Sequence, residues 1–180
     1  MKFTHLYQGQ EAVLAQVFAQ AFTDSEGADE GALIAGLAGD LLNMSAAQDI
    51  QVFSMCEDSA APLGCIIFTP LRYDGDARRV WMLSPVAVVP GAQGKGLGQQ
   101  LLRHGLDALR ATGADVAVTY GDPTYYSKVG FKPVGTDVLP APHPLQYPQG
   151  WQAQHLQGAD ILPFGVDVSC AKPFDAPELW

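Results

Sequence analysis

The run Val86-Ala87-Val88-Val89-Pro90-Gly91-Ala92-Gln93-Gly94-Lys95-Gly96-Leu97-Gly98-Gln99 passes from strand-like apolar residues through a glycine-rich turn into a helical stripe. Such a turn suits a phosphate. Glycines let the main chain approach an anion closely, and the first N–H groups of a helix lack intrahelical partners and point outward with the positive end of its dipole. Two common nucleotide signatures fail at single positions. With Gly94 and Gly96 in place, G-x-G-x-x-G needs glycine where Gln99 stands, and a P-loop needs Ser or Thr where Gly96 follows Lys95. The turn therefore indicates a phosphate-bearing ligand without naming it.

A second cluster, Asp122-Pro123-Thr124-Tyr125-Tyr126-Ser127-Lys128-Val129-Gly130-Phe131, follows an apolar run. On residue type alone, its two tyrosines read either as proton donors or as amphipathic side chains at the edge of a cleft. Gln93, Gly96 and Gly98 match Q/R-x-x-G-x-G/A, and Tyr126, Gly130 and Phe131 match Y-x-x-x-G-F. With both motifs in this order, the chain resembles the GNAT superfamily of N-acetyltransferases, and within it a bacterial subgroup of N-acetyltransferases.

That resemblance implies acetyl-CoA as co-substrate and an amine, small-molecule or peptide, as acceptor. It implies that the backbone of Val86, Ala87 and Val88 holds the pantetheine arm and acyl carbonyl. Gln93 and the amides of Gly94, Lys95, Gly96, Leu97, Gly98 and Gln99 would hold the pyrophosphate. It makes Tyr126 the proton donor, with Tyr125 its adjacent rival at a position resembling the family's apolar packing site. A leaving thiolate has a conjugate acid of pKa about 8.5, and a phenol of pKa about 10 can protonate it without prior ionisation. Many family members carry a basic carboxylate on the fourth strand. Met82, Leu83 and Ser84 offer none here, which leaves Asp122, or Glu26 and Glu30 through water. The missing carboxylate also keeps open an alternative, a non-catalytic module of the same fold that binds or senses acyl-CoA.

The elements that must position these residues follow from periodicity. Val13, Leu14, Val17, Phe18, Ala21 and Phe22, then Leu33, Ile34, Leu37 and Leu41, recur at helical spacing on either side of an acidic loop at 23–30. Strand-like runs at 50–57, 63–71 and 80–89 are separated by turn residues Asp58-Ser59-Ala60-Ala61 and Asp74-Gly75-Asp76. A helix from about 96 carries Leu97, Leu101, Leu102, Leu106 and Leu109 and stops at Gly113, before a strand at 115–120. With a first strand at 2–7, a strand near 151–156 and a last at 164–171, this is an α/β layout. The expectation is a single-domain GNAT-like fold over 1–180, a mixed, largely antiparallel sheet of about seven strands flanked by helices. Pro85, which cannot donate to a ladder, belongs at an edge or bulge. The resemblance gives it a use, since the fourth and fifth strands of the family splay apart to admit pantetheine. Six prolines across 132–163 make that stretch mostly loop, a Pro-rich insertion.

Composition narrows the function classes. A length of 180 residues at 48% hydrophobic content supports one sizeable core. No run approaches the roughly 20 apolar residues of a membrane span and no signal pattern opens the chain, so the expected location is cytoplasmic, with no membrane partner. A net charge of −9 argues against nucleic acid. Residues 1–76 hold two cations against eleven acids, whereas 91–132 hold five cations against three acids. An acidic half suits a cationic amine and a basic segment suits an anion. Cys56, Cys65 and Cys170 lack metal spacing and read as buried, reduced packing residues, and His104 and His143 as ordinary surface or loop residues, so no metal is expected. A homodimer is compatible with this reading.

Overall fold

The computed structural model describes residues 1–44, 49–58, 61–165 and 167–180. Its strands are β1 (Lys2–Thr4), β2 (Gln51–Cys56), β3 (Gly64–Tyr73), β4 (Val80–Val88), β5 (Val116–Tyr120), β6 (Lys132–Pro133), β7 (Trp151–His155) and β8 (Val168–Ser169). Its helices are α1 (Glu11–Glu26), α2 (Ala28–Leu42), α3 (Leu97–Ala111) and the single turn α4 (Pro123–Tyr126). Among the described residues the hydrogen-bonded strand order is β1-β2-β3-β4-β5-β7-β6, with β8 on β3, an eight-stranded mixed sheet in keeping with the expected α/β sheet of about seven strands. The chain divides into two compact units, Met1–Phe68 with Ser84–Gly105, and Thr69–Leu83 with Leu106–Trp180.

In the first unit, Leu14, Val17, Phe18 and Ala21 of α1 and Leu37, Ala38, Leu41 and Leu42 of α2 are buried, which is the i, i+3, i+4 stripe of an amphipathic helix. Val13 and Leu33, expected on those stripes, are exposed. The acidic loop expected at 23–30 is almost wholly helical. Gly27 alone breaks it: at φ 103° it takes a conformation that side chains avoid, while its N–H still donates to Thr23 and its carbonyl accepts from Gly31. Two acids of that stretch then serve the helix, Asp29 and Glu30 sitting in the first turn of α2 where the dipole favours negative charge. β1 and β2 pair antiparallel, as do β2 and β3, and Val52, Phe53, Ile66, Ile67 and Phe68 lie in the core. Ser59 and Ala60 of the expected turn between β2 and β3 lie outside the described residues.

In the second unit, β4 and β5 run parallel, Val80 to Leu83 opposite Val116 to Thr119, and β7 pairs antiparallel with β5 on its other edge. β4 continues to Val88 past the last of these pairs, so the two strands splay from Ser84 onward, and Pro85 sits just where the ladder ends. A residue without an N–H is tolerated there because β5 no longer needs its donor.

The strand expected at 164–171 shrinks to Val168–Ser169. Phe164 packs on Tyr73 instead, with ring centroids 4.5 Å apart, and its N–H donates to Val138, so it is held by a loop rather than a ladder. Within the expected loop, Lys132 and Pro133 add a short strand on β7. Pro133 fits there because no further strand follows β6 in the order. Trp180 is buried, donates its indole N–H to the Phe174 carbonyl and stacks with Tyr120, so the last residue packs inward. Of the three free cysteines only Cys65 is buried; Cys56 and Cys170 are half-buried.

Candidate active site

β4 delivers the chain to the glycine-rich turn. Ala87 is buried, and Val86 and Val88 are half-buried. Val89 donates its N–H to Leu63, and Pro90 to Ala92 form a 3-10 turn. Gly94 and Gly96 both take φ 74°, and a Cβ on either would meet nothing within 4 Å. Glycine is required there by backbone conformation, and the space above the turn is open. Gln100 makes the first intrahelical bond of α3, to Gly96, so the N–H groups of Leu97, Gly98 and Gln99 precede the ladder and have no partner within the helix. An open turn of positive-φ glycines running into free helical donors fits a pyrophosphate. These donors, with the backbone of Val86, Ala87 and Val88, are the groups that would hold the CoA portion of acetyl-CoA.

Two polar side chains of the turn are used differently from what the motif suggests. Gln93 donates its Nε2 hydrogen to the Val88 carbonyl at 2.9 Å, and Lys95 donates from Nζ to the Gly91 carbonyl at 3.0 Å. Both bonds brace the turn.

The tyrosine cluster is built on the end of β5. Asp122 caps α4, its Oδ1 accepting the Thr124 N–H at 2.8 Å, and Pro123 occupies the first helical position, where no N–H is needed. Gly130, at φ 100°, closes the segment. The Tyr126 ring meets Tyr125 and Phe131 edge to face, with centroids 5.2 and 5.8 Å away. Burial pushes the Tyr126 phenol up to about 12; the neighbouring Thr119 hydroxyl partly offsets this, and Tyr125 and Asp122 add to it. Burial also raises Tyr125. The adjacency of Tyr126 to Thr119 is what separates the two rings.

Among the candidate bases, Asp122 is exposed and committed to its cap, Glu26 is exposed at the end of α1, and Glu30 is half-buried in α2. Met82 and Leu83 are buried, and β4 carries no carboxylate. His104 is exposed and stacks on Phe3, and His143 bonds Asp175 at 2.9 Å. Sequence reasoning passed over Thr119, Gly121 and Gln152, which surround Tyr126 and its strand. The alternation of β5 was the available signal for the first two, since residues two apart share a face.

Comparison with known proteins bears on this arrangement. Residues 48–133 match the family model of the acetyltransferase (GNAT) domain. The chain is 33% identical over 165 residues to the uncharacterized N-acetyltransferase YjhQ of Escherichia coli K12, covering 89% of this chain and 86% of that protein. In structure it is similar to a GNAT family acetyltransferase from Brucella melitensis solved with acetyl-CoA, at a TM-score of 0.69, 28% identity and 97% coverage of both chains. It shares its fold with E. coli YhbS solved with CoA, at a TM-score of 0.75 and 20% identity, covering 97% of this chain and 92% of that one. These likenesses make the chain an acyltransferase. The chain belongs to the GNAT family of N-acetyltransferases.

Proposed function

We propose that this enzyme transfers an acetyl group from acetyl-CoA directly to a primary amine, on a small molecule or a peptide, with Tyr126 as proton donor and residues 1–180 acting as one catalytic domain in the cytoplasm. Acetyl-CoA is the co-substrate of this family and supplies an activated acyl thioester. The backbone of Val86, Ala87 and Val88 and the amides of Gly94 to Gln99 hold it in this reading, with Gln93 and Lys95 keeping the turn in shape. One observation carries the proposal: Tyr126 closes α4 at the end of β5, its ring held edge to face by Tyr125 and Phe131, with a phenol that burial keeps protonated. Its Oη carries a proton throughout the physiological range, and that is the proton available to a departing thiolate.

A covalent route through cysteine has no support. Cys65 is buried in β3 and burial pushes its thiol up, the opposite of an activated nucleophile. The surplus of acids in 1–76 favours a cationic acceptor. No described helix is long and apolar enough to cross a membrane. Release of free CoA, followed with a thiol reagent across a panel of amines, tests the proposal. Amine-dependent release that collapses in Tyr126→Phe supports it, and undiminished release in that variant removes Tyr126 from the role. The absence of a carboxylate on β4 favours a second reading, an acyl-CoA sensor, which predicts tight acetyl-CoA binding by calorimetry with no product from any amine.

A further inference from the structure

Thr119 is fully buried in β5 and gives its one hydroxyl proton to the Leu83 carbonyl at 3.0 Å, across the last rung of the parallel β4–β5 ladder. Gly121 lies two residues further on, at the bend that ends β5 and still in step with β7, its N–H donating to the Gly150 carbonyl at 3.0 Å one place past the Tyr120–Trp151 pair. Side chains at 119 and 121 thus share one face. The Tyr126 ring occupies that face. A Cβ on Gly121 would stand 2.9 Å from Cε2 and 3.8 Å from Cζ of Tyr126, so the ring lies where a side chain at 121 would be. Its hydroxyl end comes beside the Thr119 hydroxyl. Gln152, fully buried on β7 opposite Thr119, donates its Nε2 hydrogens to the Gly121 and Gly150 carbonyls at 3.2 and 3.3 Å, which fixes the strand end beneath the ring.

This arrangement answers a chemical difficulty. A buried phenol that holds its proton so firmly is a reluctant donor to a thiolate whose conjugate acid has a pKa of about 8.5. The phenolate left behind needs a hydrogen-bond donor where water is scarce. The groups facing the phenol are Thr119, Tyr125 and Asp122, and both Tyr125 and Asp122 act against its ionisation. Thr119 alone acts in favour.

We propose that Thr119 is a positioning residue for Tyr126, its hydroxyl turning from the Leu83 carbonyl to the phenolate oxygen as Tyr126 gives up its proton. The proposal rests on Tyr126 being the acid. The Oη–H bond of Tyr126 breaks and an S–H bond forms, so negative charge moves from sulfur to Oη. Rotation about the Cβ–Oγ1 bond of Thr119 then brings its O–H to Oη, and solvent later returns a proton to the phenol.

The test reads the free protein as well as turnover. With 3-fluorotyrosine incorporated, whose more acidic phenol titrates while the protein is folded, the fluorine resonance of Tyr126 is assigned by its loss in Tyr126→Phe. Thr119→Val should move its titration midpoint up by about one pH unit and lower kcat about tenfold, the scale of one hydrogen bond, without changing the Kd for acetyl-CoA. Thr119→Ser should restore both. In a Tyr126→Phe background, Thr119→Val should change turnover no further. An unchanged midpoint and kcat in Thr119→Val overturn the proposal while leaving Tyr126 in place. Full turnover in Tyr126→Phe instead overturns the reading beneath it. Should Thr119→Val fail to fold, Thr119→Ala, which removes the hydroxyl without adding bulk, should raise the same midpoint. No rise there overturns the proposal equally.

Discussion

The segments 90–99 and 119–131 each carry the chain from a strand of the sheet into a helix, each with a proline near the start of the turn and glycines where the backbone needs φ above zero. They differ in what they present. In 90–99 the proposed chemistry belongs to the main chain: Gly94 and Gly96 hold the turn at φ 74°, the N–H groups of the first helical residues have no partner within the helix, and Gln93 and Lys95 bond the Val88 and Gly91 carbonyls. In 119–131 main-chain groups are paired, with Asp122 capping α4 and Gly121 bonded to Gly150, and the proposed chemistry belongs to one phenol and its surroundings. A main-chain device depends on glycine and tolerates other substitutions, whereas a side-chain device depends on a few atoms brought in from distant positions.

The largest effect expected from this contrast is in Tyr126→Phe. Removing one hydroxyl from a general acid should lower kcat by about a hundredfold to ten-thousandfold while leaving acetyl-CoA affinity within about twofold. Steady-state kinetics with calorimetry checks both numbers. A matching loss of affinity would show that the phenol holds the co-substrate rather than moving a proton, and the contrast between the segments would break.

The opposite signature belongs to the turn. Gly94→Ala and Gly96→Ala each force a Cβ into a left-handed conformation at a cost of about 1–2 kcal/mol. A Cβ at either position meets open space, so backbone strain rather than collision is the cause. Relaxation of the turn should misdirect its N–H groups and weaken acetyl-CoA binding about tenfold, with kcat at saturation little changed. A fall in kcat with affinity intact would mean that the turn contributes to chemistry, not only to binding.

The same contrast explains what could be read from the residues alone. The glycine turn is legible because positive φ and helix-start donors are local properties, fixed by residue type within a few positions. The strand–helix order follows from apolar periodicity and Pro85 marks an edge or bulge, whereas the splay of β4 from β5 was legible only through the family resemblance. Tyr126 is legible as a position in a motif, but its environment is not, because Thr119, Gly121 and Gln152 reach it through sheet register that no short-range pattern encodes. The bracing by Gln93 was missed for a related reason, since a motif records a residue without recording its hydrogen bond. The misread loop at 23–30 shows the converse: its polar composition pointed to coil, and one glycine was enough to join two helices.

The smallest effect concerns a third region, where side chains hold structure and do no chemistry. Arg78 places its guanidinium 3.4 Å from the Phe164 ring centroid, pairs with Asp76, and donates to the carbonyls of Leu162 and Pro163. It thus pins the end of the Pro-rich stretch to the turn after β3. Arg78→Ala should destabilise the protein by about 1–2 kcal/mol, a cation–π contact and partly exposed hydrogen bonds being modest individually. Thermal melting should register this as a fall of a few degrees, with acetyl-CoA affinity and kcat unchanged. The difference should also depend on pH. The Arg78 guanidinium, chiefly by hydrogen bonding, holds the Asp76 carboxyl below its ordinary value. A depressed carboxylate pKa contributes stability that is present above the unfolded pKa of about 3.9 and is lost as pH falls through the lower folded value. The gap in melting temperature between wild type and Arg78→Ala should therefore be full at neutral pH and narrow below about pH 4. A gap that persists unchanged in acid would assign the stabilisation to the ring contact and the carbonyl bonds alone, because those do not titrate in that range.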